Sequence, residues 1–426
     1  MDQISVAKKK LTLILFFFTI SGCASYQKKV EQSRNYMASG QPESAVQLLE
    51  PLAKEPGADQ LVYLFDYATA LQAAGRYKES SDQFILADKM SDAKDYFSVS
   101  NFAGSLLLNE GVTQYKGEDY ERLFINVMSA FNFVMSGERE SAMVEIRRLN
   151  EKLDYFRLEQ KKEYDKNTMS MYLSGILWES DNNWDSAYID YERVYNRSPN
   201  SKYIKEDLVR AAIKARREDA AEKWMREFSI KPKPEWSNSK YGEIVLLYMQ
   251  GWGPRKAERP RVATAFGFVS PGFPKLVKVP ADTTQVRLIA QGESGNTIIH
   301  QADTGLIYSV EDAAIKALEA QYAPLIAKRI AAYVAKQQLS RQVGKNNEGL
   351  GAVMNLALQL ADTADLRQWS TLPASFQVAR LFVPAGKYTL TLQGLTPSGT
   401  ESNDKKTNIE IEVKPKKKSF VSWRTY

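Results

Sequence analysis

The 426-residue sequence predicts two folded parts, an all-α solenoid of helical repeats followed by an α+β domain with a mostly antiparallel sheet. Two observations support this prediction. A pattern of a turn residue, a small residue and large apolar residues recurs at helical spacing up to Phe228. After that point, short apolar runs separated by turn-forming residues replace it, which is typical of strands. Hydrophobic residues make up 44% of the chain, enough for the cores of two or three domains.

The repeat pattern starts at four turn residues, Gly40, Gly75, Gly137 and Asn182. Small or apolar residues follow each of them, namely Ala45 and Leu49, then Tyr77, Ser80, Phe84 and Ala87, then Ala142, Ile146 and Leu149, and finally Trp184, Ala187, Tyr191, Val194 and Pro199. Glycine or asparagine permits the left-handed turn that closes a helix, and the small residue lets two helices approach closely. The pattern resembles the tetratricopeptide helix-turn-helix repeat, whose period is about 34 residues.

The spacing between the turns is uneven, which predicts degenerate or inserted helices such as residues 119–133. Residues 208–228 are predicted as the last helical pair. A proline-rich linker follows, and the first strand of the second domain is predicted at the apolar run 244–249. Further strands are predicted at 261–268, 285–289, 377–383, 387–393 and 407–413. Helices are predicted at 311–343, with a kink or split at Pro324, and at 348–365.

The N-terminus has the organisation of a secretory signal peptide. Three lysines precede an apolar run at 11–20, which is shorter than the roughly 20 apolar residues of a membrane-spanning helix. The tetrad Ile20-Ser21-Gly22-Cys23 contains the only cysteine of the chain and resembles a bacterial lipobox. The resemblance implies cleavage between Gly22 and Cys23 and a covalent lipid on Cys23. The alternative is a buried free cysteine after an ordinary N-terminal helix.

The residues after the lipobox bear on the location of the protein. Ala24 and Ser25 come next, and no aspartate follows Cys23, which resembles the outer-membrane address of enteric lipoproteins. The resemblance implies a body that faces the periplasm.

Charge is concentrated at the ends of the chain. The formal net charge is +6, and five basic residues lie in the last thirteen, Lys414, Lys416, Lys417, Lys418 and Arg424. The body between the signal peptide and this tail is close to neutral, which argues against a nucleic-acid-binding protein.

These patterns divide the chain into six parts. They are a signal peptide at 1–22, the lipidated Cys23 with a tether or the start of the first helix at 23–36, helical repeats at 37–228, a linker at 229–240, the α+β domain at 241–413 and a basic aromatic tail at 414–426.

Three stretches, 115–153, GWGPRK at 251–256 and 364–390, resemble a family of uncharacterised Gram-negative outer-membrane lipoproteins. The most specific part is Asp365, Arg367, Trp369, Leu372 and Pro373. The resemblance implies tetratricopeptide-like repeats followed by an α+β domain, without an assigned enzymatic activity. Some members are encoded near lipoproteins that activate peptidoglycan synthases, which implies a role in the cell envelope.

Catalytic and metal-binding patterns are scarce. His300 is the only histidine, which excludes multi-histidine zinc sites, and its position at the end of an apolar run favours a surface residue. The GLGAV stretch at Gly349 is not a complete phosphate-binding motif. We therefore predict a protein without enzymatic activity, metal or cofactor other than the lipid.

Two patches are candidate binding sites. If Asp365, Arg367 and Trp369 are in a strand, they project from one face. They then form either a structural ion pair beside a packed tryptophan or a surface on which Arg367 clamps a carboxylate or sugar acid. Arg255 and Lys256 form the second patch, with the same two alternatives.

The basic tail has two interpretations as well. Its lysines and aromatic residues either contact anionic lipid or peptidoglycan or form a solvated, disordered end.

The sequence therefore predicts a non-enzymatic scaffold or adaptor of the outer membrane. Its partners are the membrane through the lipid and an envelope protein or peptide in the repeat groove, because solenoids present extended concave surfaces. The alternatives are a module in the C-terminal domain that binds cell wall, lipopolysaccharide or polysaccharide, and an envelope hydrolase.

Overall fold

The computed structural model describes residues 21–98, 114–158, 168–265, 267–292, 299–344 and 364–426. Residues 1–20 of the signal peptide and nearly all of the helix predicted at 348–365 lie outside these ranges. The N-terminal part is all-α and the C-terminal part is mostly antiparallel sheet, so the predicted fold class is confirmed.

Ten helices of the described N-terminal part form five helix-turn-helix pairs. The pairs are α1 (Ser21–Ala38) with α2 (Pro42–Lys54), α3 (Gln60–Ala73) with α4 (Tyr77–Ser98), α5 (Asp119–Met135) with α6 (Arg139–Leu158), α7 (Thr168–Ser180) with α8 (Trp184–Tyr195), and α9 (Ile204–Lys214) with α10 (Glu218–Phe228). The predicted helix at 119–133 is thus the first helix of a regular pair. We call the first helix of each pair inner and the second outer, because most contacts with the C-terminal part come from the first.

Each pair turns at one residue with left-handed backbone. The φ angle is +73° at Gly40, +78° at Gly75 and Gly137, and +59° at Asn182, which confirms the predicted turn residues. The next N–H closes the turn by donating to a carbonyl five residues back, as Arg76 does to Leu71 (2.9 Å).

The fifth pair turns at Arg216, where φ is +56°. This turn was not predicted, because arginine has no preference for left-handed backbone.

The C-terminal part contains two four-stranded sheets. In spatial order, the central sheet consists of β12 (Lys418–Arg424), β1 (Tyr241–Gln250), β9 (Ser375–Pro384) and β8 (Gly305–Ser309). The outer sheet consists of β11 (Glu401–Val413), β10 (Gly386–Leu395), β6 (Gln285–Gly292) and β7 (Ile299–Asp303). Only β12 pairs in parallel within these two sheets, with β1.

Two short strand pairs and one long helix complete the described residues. They are β2 (Arg255–Glu258) with β5 (Pro274–Val277), β3 (Val262–Thr264) with β4 (Gly267–Val269), and α11 (Val310–Gly344). The strand predicted at 261–268 is wrong, because the chain reverses there into β3 and β4. The helix predicted at 311–343 is present and runs through Pro324 without a split.

The central sheet lies between the outer sheet and the repeat helices. On β1, Ile244 and Leu246 pack in the core shared with the outer sheet, whereas Val245 and Leu247 pack with the helices. Successive residues of a strand point to opposite faces, so a strand covered on both faces is apolar throughout. The molecule therefore has three layers: helices, central sheet and outer sheet.

The tail predicted at 414–426 is not a separate segment. It contains β12, which is in register with β1 from Lys418 opposite Glu243 to Arg424 opposite Met249. Val421 is buried in the core between the sheets, and the run of lysines obscured this strand pattern. The linker predicted at 229–240 is also packed, since it holds a 3₁₀ turn at Pro234–Trp236 with Trp236 buried.

Among the described residues, no helix has the length and apolar character needed to cross a membrane.

Candidate functional site

The two patches predicted as binding sites meet in the structure. Arg255 and Lys256 begin β2, and the other three residues lie within 364–374, which we call the docking segment. Gln368 joins the two patches, because its Nε2 donates to the Pro254 carbonyl (3.0 Å) and its Oε1 accepts from the Lys256 N–H. The docking segment is not a strand up to residue 374, and it packs against the inner helices.

Trp369 is an interior residue, with 2% of its surface exposed. Its ring stacks on Phe65 of α3 at 4.8 Å and lies 5.4 Å from the ring of Phe84 of α4. Its Nε1 donates to Thr69 Oγ1 (2.9 Å). The Trp369 ring and its N–H therefore make their contacts within the protein. The alternative in which Trp369 stacks on a ligand is wrong.

Asp365 and Arg367 form the structural ion pair that was one of the two alternatives. Arg367 Nη2 lies 2.7 Å from Asp365 Oδ2, and Nη1 lies 2.9 Å from Asp59 Oδ1 at the start of α3. The side chain of Arg367 is 4% exposed. The guanidinium therefore ties the docking segment to the second repeat and is not open to a ligand.

Lys256 is also buried and paired. Its Nζ forms a salt bridge with Glu118, the residue that caps α5. Burial alone lowers the pKa of a lysine, but the charges of Glu118 and of further carboxylates outweigh it and raise the pKa of Lys256. Glu118 also accepts from the Tyr322 hydroxyl of α11 (3.0 Å), so this pair joins the repeats to two elements of the C-terminal part.

Two buried carboxyl groups of the inner helices accept hydrogen bonds from the docking segment. Neither was predicted from the sequence. Asp66 of α3 accepts from the Thr371 N–H (2.9 Å), the Thr371 hydroxyl (2.8 Å) and the Ser370 hydroxyl (3.1 Å). Burial raises the pKa of Asp66 to about 6, although the hydrogen bonds from Thr371 oppose the shift.

Glu121 of α5 has a similar role. It accepts from the Trp369 N–H (2.6 Å), from the Glu118 N–H (2.8 Å) and from the Tyr115 hydroxyl. Burial raises the pKa of Glu121 to about 7, with Lys256 opposing the shift.

A second contact between the halves is a buried cluster of six charges. Its acids are Glu179 of α7, Asp207 of α9 and Glu243 of β1, and its bases are Arg210 of α9, Arg380 of β9 and Lys418 of β12. Arg380 lies 2.6 Å from Glu179, 2.8 Å from Asp207 and 2.5 Å from Glu243. The charges balance, and every side chain in the cluster is at most 9% exposed.

The two carboxylates of this cluster that flank Lys418 stay ionised. Burial opposes ionisation of Glu179, but the neighbouring cations outweigh it and hold its pKa well below the ordinary value. The same balance lowers the pKa of Glu243. Removing one cation from such a cluster leaves a buried charge without compensation, which is strongly destabilising.

The inner face of the repeats is therefore occupied by the chain's own C-terminal part. In α3, all residues from 61 to 72 are buried, because one side meets α4 and the other meets the docking segment. The expectation of a groove open to a partner protein needs correction: the described inner face does bind polypeptide, but that polypeptide belongs to the same chain. At three places an acid of the repeats pairs with a base of the C-terminal part: Asp59 with Arg367, Glu118 with Lys256 and Glu179 with Arg380.

Arg255 differs from the other four predicted binding residues. It is only half-buried, and its Nη1 donates to the Ser370 carbonyl. No acidic side chain of the described residues forms a salt bridge with it.

The predicted lipidation and cleavage residues, Gly22 and Cys23, lie in the first turn of α1. In the described part of the chain, no group of three or more histidine, cysteine, aspartate or glutamate side chains is placed to hold a metal ion.

No protein-family model matches the sequence, and no curated protein is significantly similar to it. Solved structures with partial similarity are helical-repeat proteins. A putative kinesin light chain of Podosopora anserina with nearly identical TPR-like repeats is 14% identical, with a TM-score of 0.35, over 49% of this chain and 95% of that one. A tetratricopeptide repeat protein from Parabacteroides merdae is 16% identical, with a TM-score of 0.33, over 48% of this chain and 68% of that one.

The TPR2AB domain of yeast Sti1, in complex with an Hsp90 peptide, is 12% identical with a TM-score of 0.22, over 48% of this chain and 78% of that one. At these identities and scores, the similarity carries no partner or activity over to this chain.

Proposed function

We propose that this protein is a lipoprotein of the Gram-negative outer membrane that is anchored through Cys23, faces the periplasm and acts as a non-enzymatic scaffold in envelope assembly. The lipobox-like tetrad supports the anchor, and the helical repeats support the scaffold role.

The position of Tyr26 carries this proposal. Tyr26 lies three residues after Cys23, is 2% exposed and donates from its hydroxyl to the Gln368 carbonyl (2.7 Å). Three residues span at most about 10 Å even when extended. A lipid on Cys23 would therefore hold the folded body directly at the bilayer, with no long tether between them.

A body held so close to the membrane favours a partner at the same membrane. Among envelope proteins, a β-barrel assembly component, a polysaccharide-export component or another outer-membrane lipoprotein meets this condition better than a peptidoglycan synthase reached through a long tether. Because the inner face is occupied, the partner would contact the outer helices, where α6 exposes Arg147, Glu151 and Tyr155.

Metabolic labelling tests the anchor. Cells that express the parent or the Cys23→Ser variant are grown with radiolabelled palmitate, and their membranes are separated. The proposal expects label and outer-membrane fractionation for the parent alone. Equal behaviour of the two proteins would refute the anchor.

Site-specific photo-crosslinking in cells tests the scaffold. A photoreactive residue at Arg147 or Glu151 is expected to capture a defined envelope protein. The matched control is the same residue at Thr407 or Glu410, which are exposed on β11 at the far side of the molecule. Capture from β11 but not from α6 would contradict the proposed surface.

The contact of the basic tail with anionic polymer or lipid also remains a proposal, restricted to the exposed Lys414, Lys416 and Lys417. Changing all three to glutamine should weaken salt-dependent binding to sacculi or anionic vesicles without unfolding the protein. Unchanged binding would remove this contact from the account.

A further inference from the structure

Three arginines that have no salt-bridge partner in the described part of the chain lie near residues 370–371 of the docking segment: Arg255 and Arg424 donate to the Ser370 and Thr371 carbonyls, and the charge of Arg34 acts on Arg255. They are Arg34 of α1, Arg255 of β2 and Arg424 of β12. The buried Arg210, Arg367 and Arg380 each form salt bridges with two or more carboxylates. Among the described residues, no such salt bridge reaches any of the three gathered arginines.

Backbone carbonyls take only part of the hydrogen-bonding capacity of these arginines. Arg255 Nη1 donates to Ser370, and Arg424 Nη2 donates to Gly251 (3.2 Å) and Thr371 (2.5 Å). Nε and Nη1 of Arg424 are buried without a hydrogen-bond partner. Buried donors without acceptors cost free energy. A purely structural role of Arg424 would therefore leave these two donors without the acceptors they need.

The charges at this place are unbalanced. The carboxyl group of Asp66 acts on both Arg255 and Arg424, but its oxygens already accept hydrogen bonds from Ser370 and Thr371. Burial, together with the charges of Arg34 and Arg424, lowers the pKa of Arg255 to about 9. A guanidinium stays protonated in proteins, so Arg255 carries a partly desolvated charge that Arg34 and Arg424 repel. A bound anion would offset both effects.

Two aromatic rings border the arginines. Trp252 and Tyr426 lie with their ring centres 4.5 Å apart, and the Arg424 guanidinium carbon is 5.1 Å from each ring. The Arg255 guanidinium carbon is 5.8 Å from the Trp252 ring. Both residues are half-buried, and their rings lie beside the cations.

We propose that Arg34, Arg255 and Arg424 form a binding site for an oxyanion carried by a sugar, such as a phosphorylated sugar unit of a glycan. Arg34 and Arg255, which are both partly exposed, hold the anion through charge-assisted hydrogen bonds. Arg424 adds positive charge beneath them, and Trp252 with Tyr426 contacts the sugar ring. The site does not depend on the lipid anchor or on the scaffold role.

Thermal unfolding and calorimetric titration with glucose 1-phosphate test the site. The protein is the full mature chain with Cys23→Ser, and sodium chloride of equal ionic strength is the reference. The sugar phosphate should raise the Tm above that in chloride. Arg255→Gln and Arg34→Gln should each weaken binding about tenfold or more and abolish the rise in Tm.

The matched control is Arg217→Gln, since Arg217 is exposed and pairs with Asp185. It should bind the sugar phosphate like the parent. Without ligand, Arg255→Gln should be at least as stable as the parent, because it relieves repulsion among the arginines. A merely structural Arg255 would instead give a less stable variant with an unchanged Tm shift in glucose 1-phosphate, and that result would overturn the proposal.

Vesicles distinguish a lipid source of the anion from a glycan source. Binding to phosphatidylglycerol vesicles but not to phosphatidylcholine vesicles, lost in Arg255→Gln, would support the oxyanion site and assign it to a headgroup, and would overturn the sugar component. Binding to neither glucose 1-phosphate nor anionic vesicles would overturn the site altogether.

Discussion

At the scale of single residues, buried carboxyl groups organise the contact between the repeats and the docking segment. Asp66 and Glu121 accept hydrogen bonds from the backbone and side chains of residues 369–371. Both have pKa values raised towards neutrality by burial. A carboxyl group that resists ionisation in the folded state makes stability depend on pH.

For Asp66, the pKa is about 6 in the folded protein against an ordinary value of 3.8. Between these values the folded state binds more protons than the unfolded state, so stability falls as the pH rises and levels off above about 6. Asparagine cannot ionise. From pH 5 to pH 8, the parent should therefore lose about 1.4 kcal/mol relative to Asp66→Asn.

Urea unfolding of both proteins at the two pH values measures this difference. Glu43→Gln, which changes an exposed carboxyl group of α2, is the control and should show no such trend. A difference between the parent and Asp66→Asn that is independent of pH would contradict the assigned role of burial.

Local contacts could be predicted from the sequence at this scale, and distant ones could not. Asp365 and Arg367 are two residues apart, so their pairing was one of two stated alternatives. The partners of Thr371 and Trp369 lie 305 and 248 positions away, and no local pattern marks Asp66 or Glu121 as their acceptors. The Arg380 cluster was missed for the same reason.

At the scale of elements, the repeats depend on left-handed turns. No atom lies within 4 Å of the place that a Cβ would take at Gly75, where φ is +78°. The requirement for glycine there is conformational and not steric. Gly75→Ala should lower the free energy of unfolding by about 1 kcal/mol.

Gly57 provides the matched control, because it has equal free space and no positive φ. Gly57→Ala should be neutral or slightly stabilising. Denaturant midpoints of the two variants, compared with the parent, measure both effects. If both substitutions changed the free energy of unfolding equally, the left-handed conformation at Gly75 would not be the cause of the destabilisation.

The elements that were hardest to predict are those whose partners decide their structure. Turn residues with strong backbone preferences marked four helical pairs, whereas Arg216 gave no signal. The β12 strand was not predicted, because a lysine such as Lys418 is normally exposed to solvent. The burial of Lys418 is explained by its salt bridges with Glu179 and Glu243.

At the scale of the whole molecule, the balanced cluster around Arg380 makes the repeats and the central sheet one body. Arg380→Leu leaves three buried acids with two bases, and should lower the free energy of unfolding by about 3–5 kcal/mol. Arg193→Leu is the control, since that side chain is 59% exposed and its ion pair should contribute at most about 1 kcal/mol. Calorimetry measures the stability of both variants. A small effect of Arg380→Leu would argue against a tight contact between the repeats and the central sheet.

This closed arrangement also changes the functional account. A solenoid with an open inner face would serve as a peptide clamp, whereas here the same face holds the chain's own sheet. The surfaces left for partners in the described residues are the outer helices, the outer sheet and the arginine cluster at Arg255.

Separate expression of the two halves tests this central claim most directly. Residues 237–240 are left out, and residues 23–236 and 241–426 are produced alone and together, with Cys23→Ser. If the inner face needs the C-terminal part, neither half should be soluble and cooperatively folded alone, and the two should purify together as a one-to-one complex. A soluble, cooperatively unfolding repeat half that does not bind the other half would contradict the account.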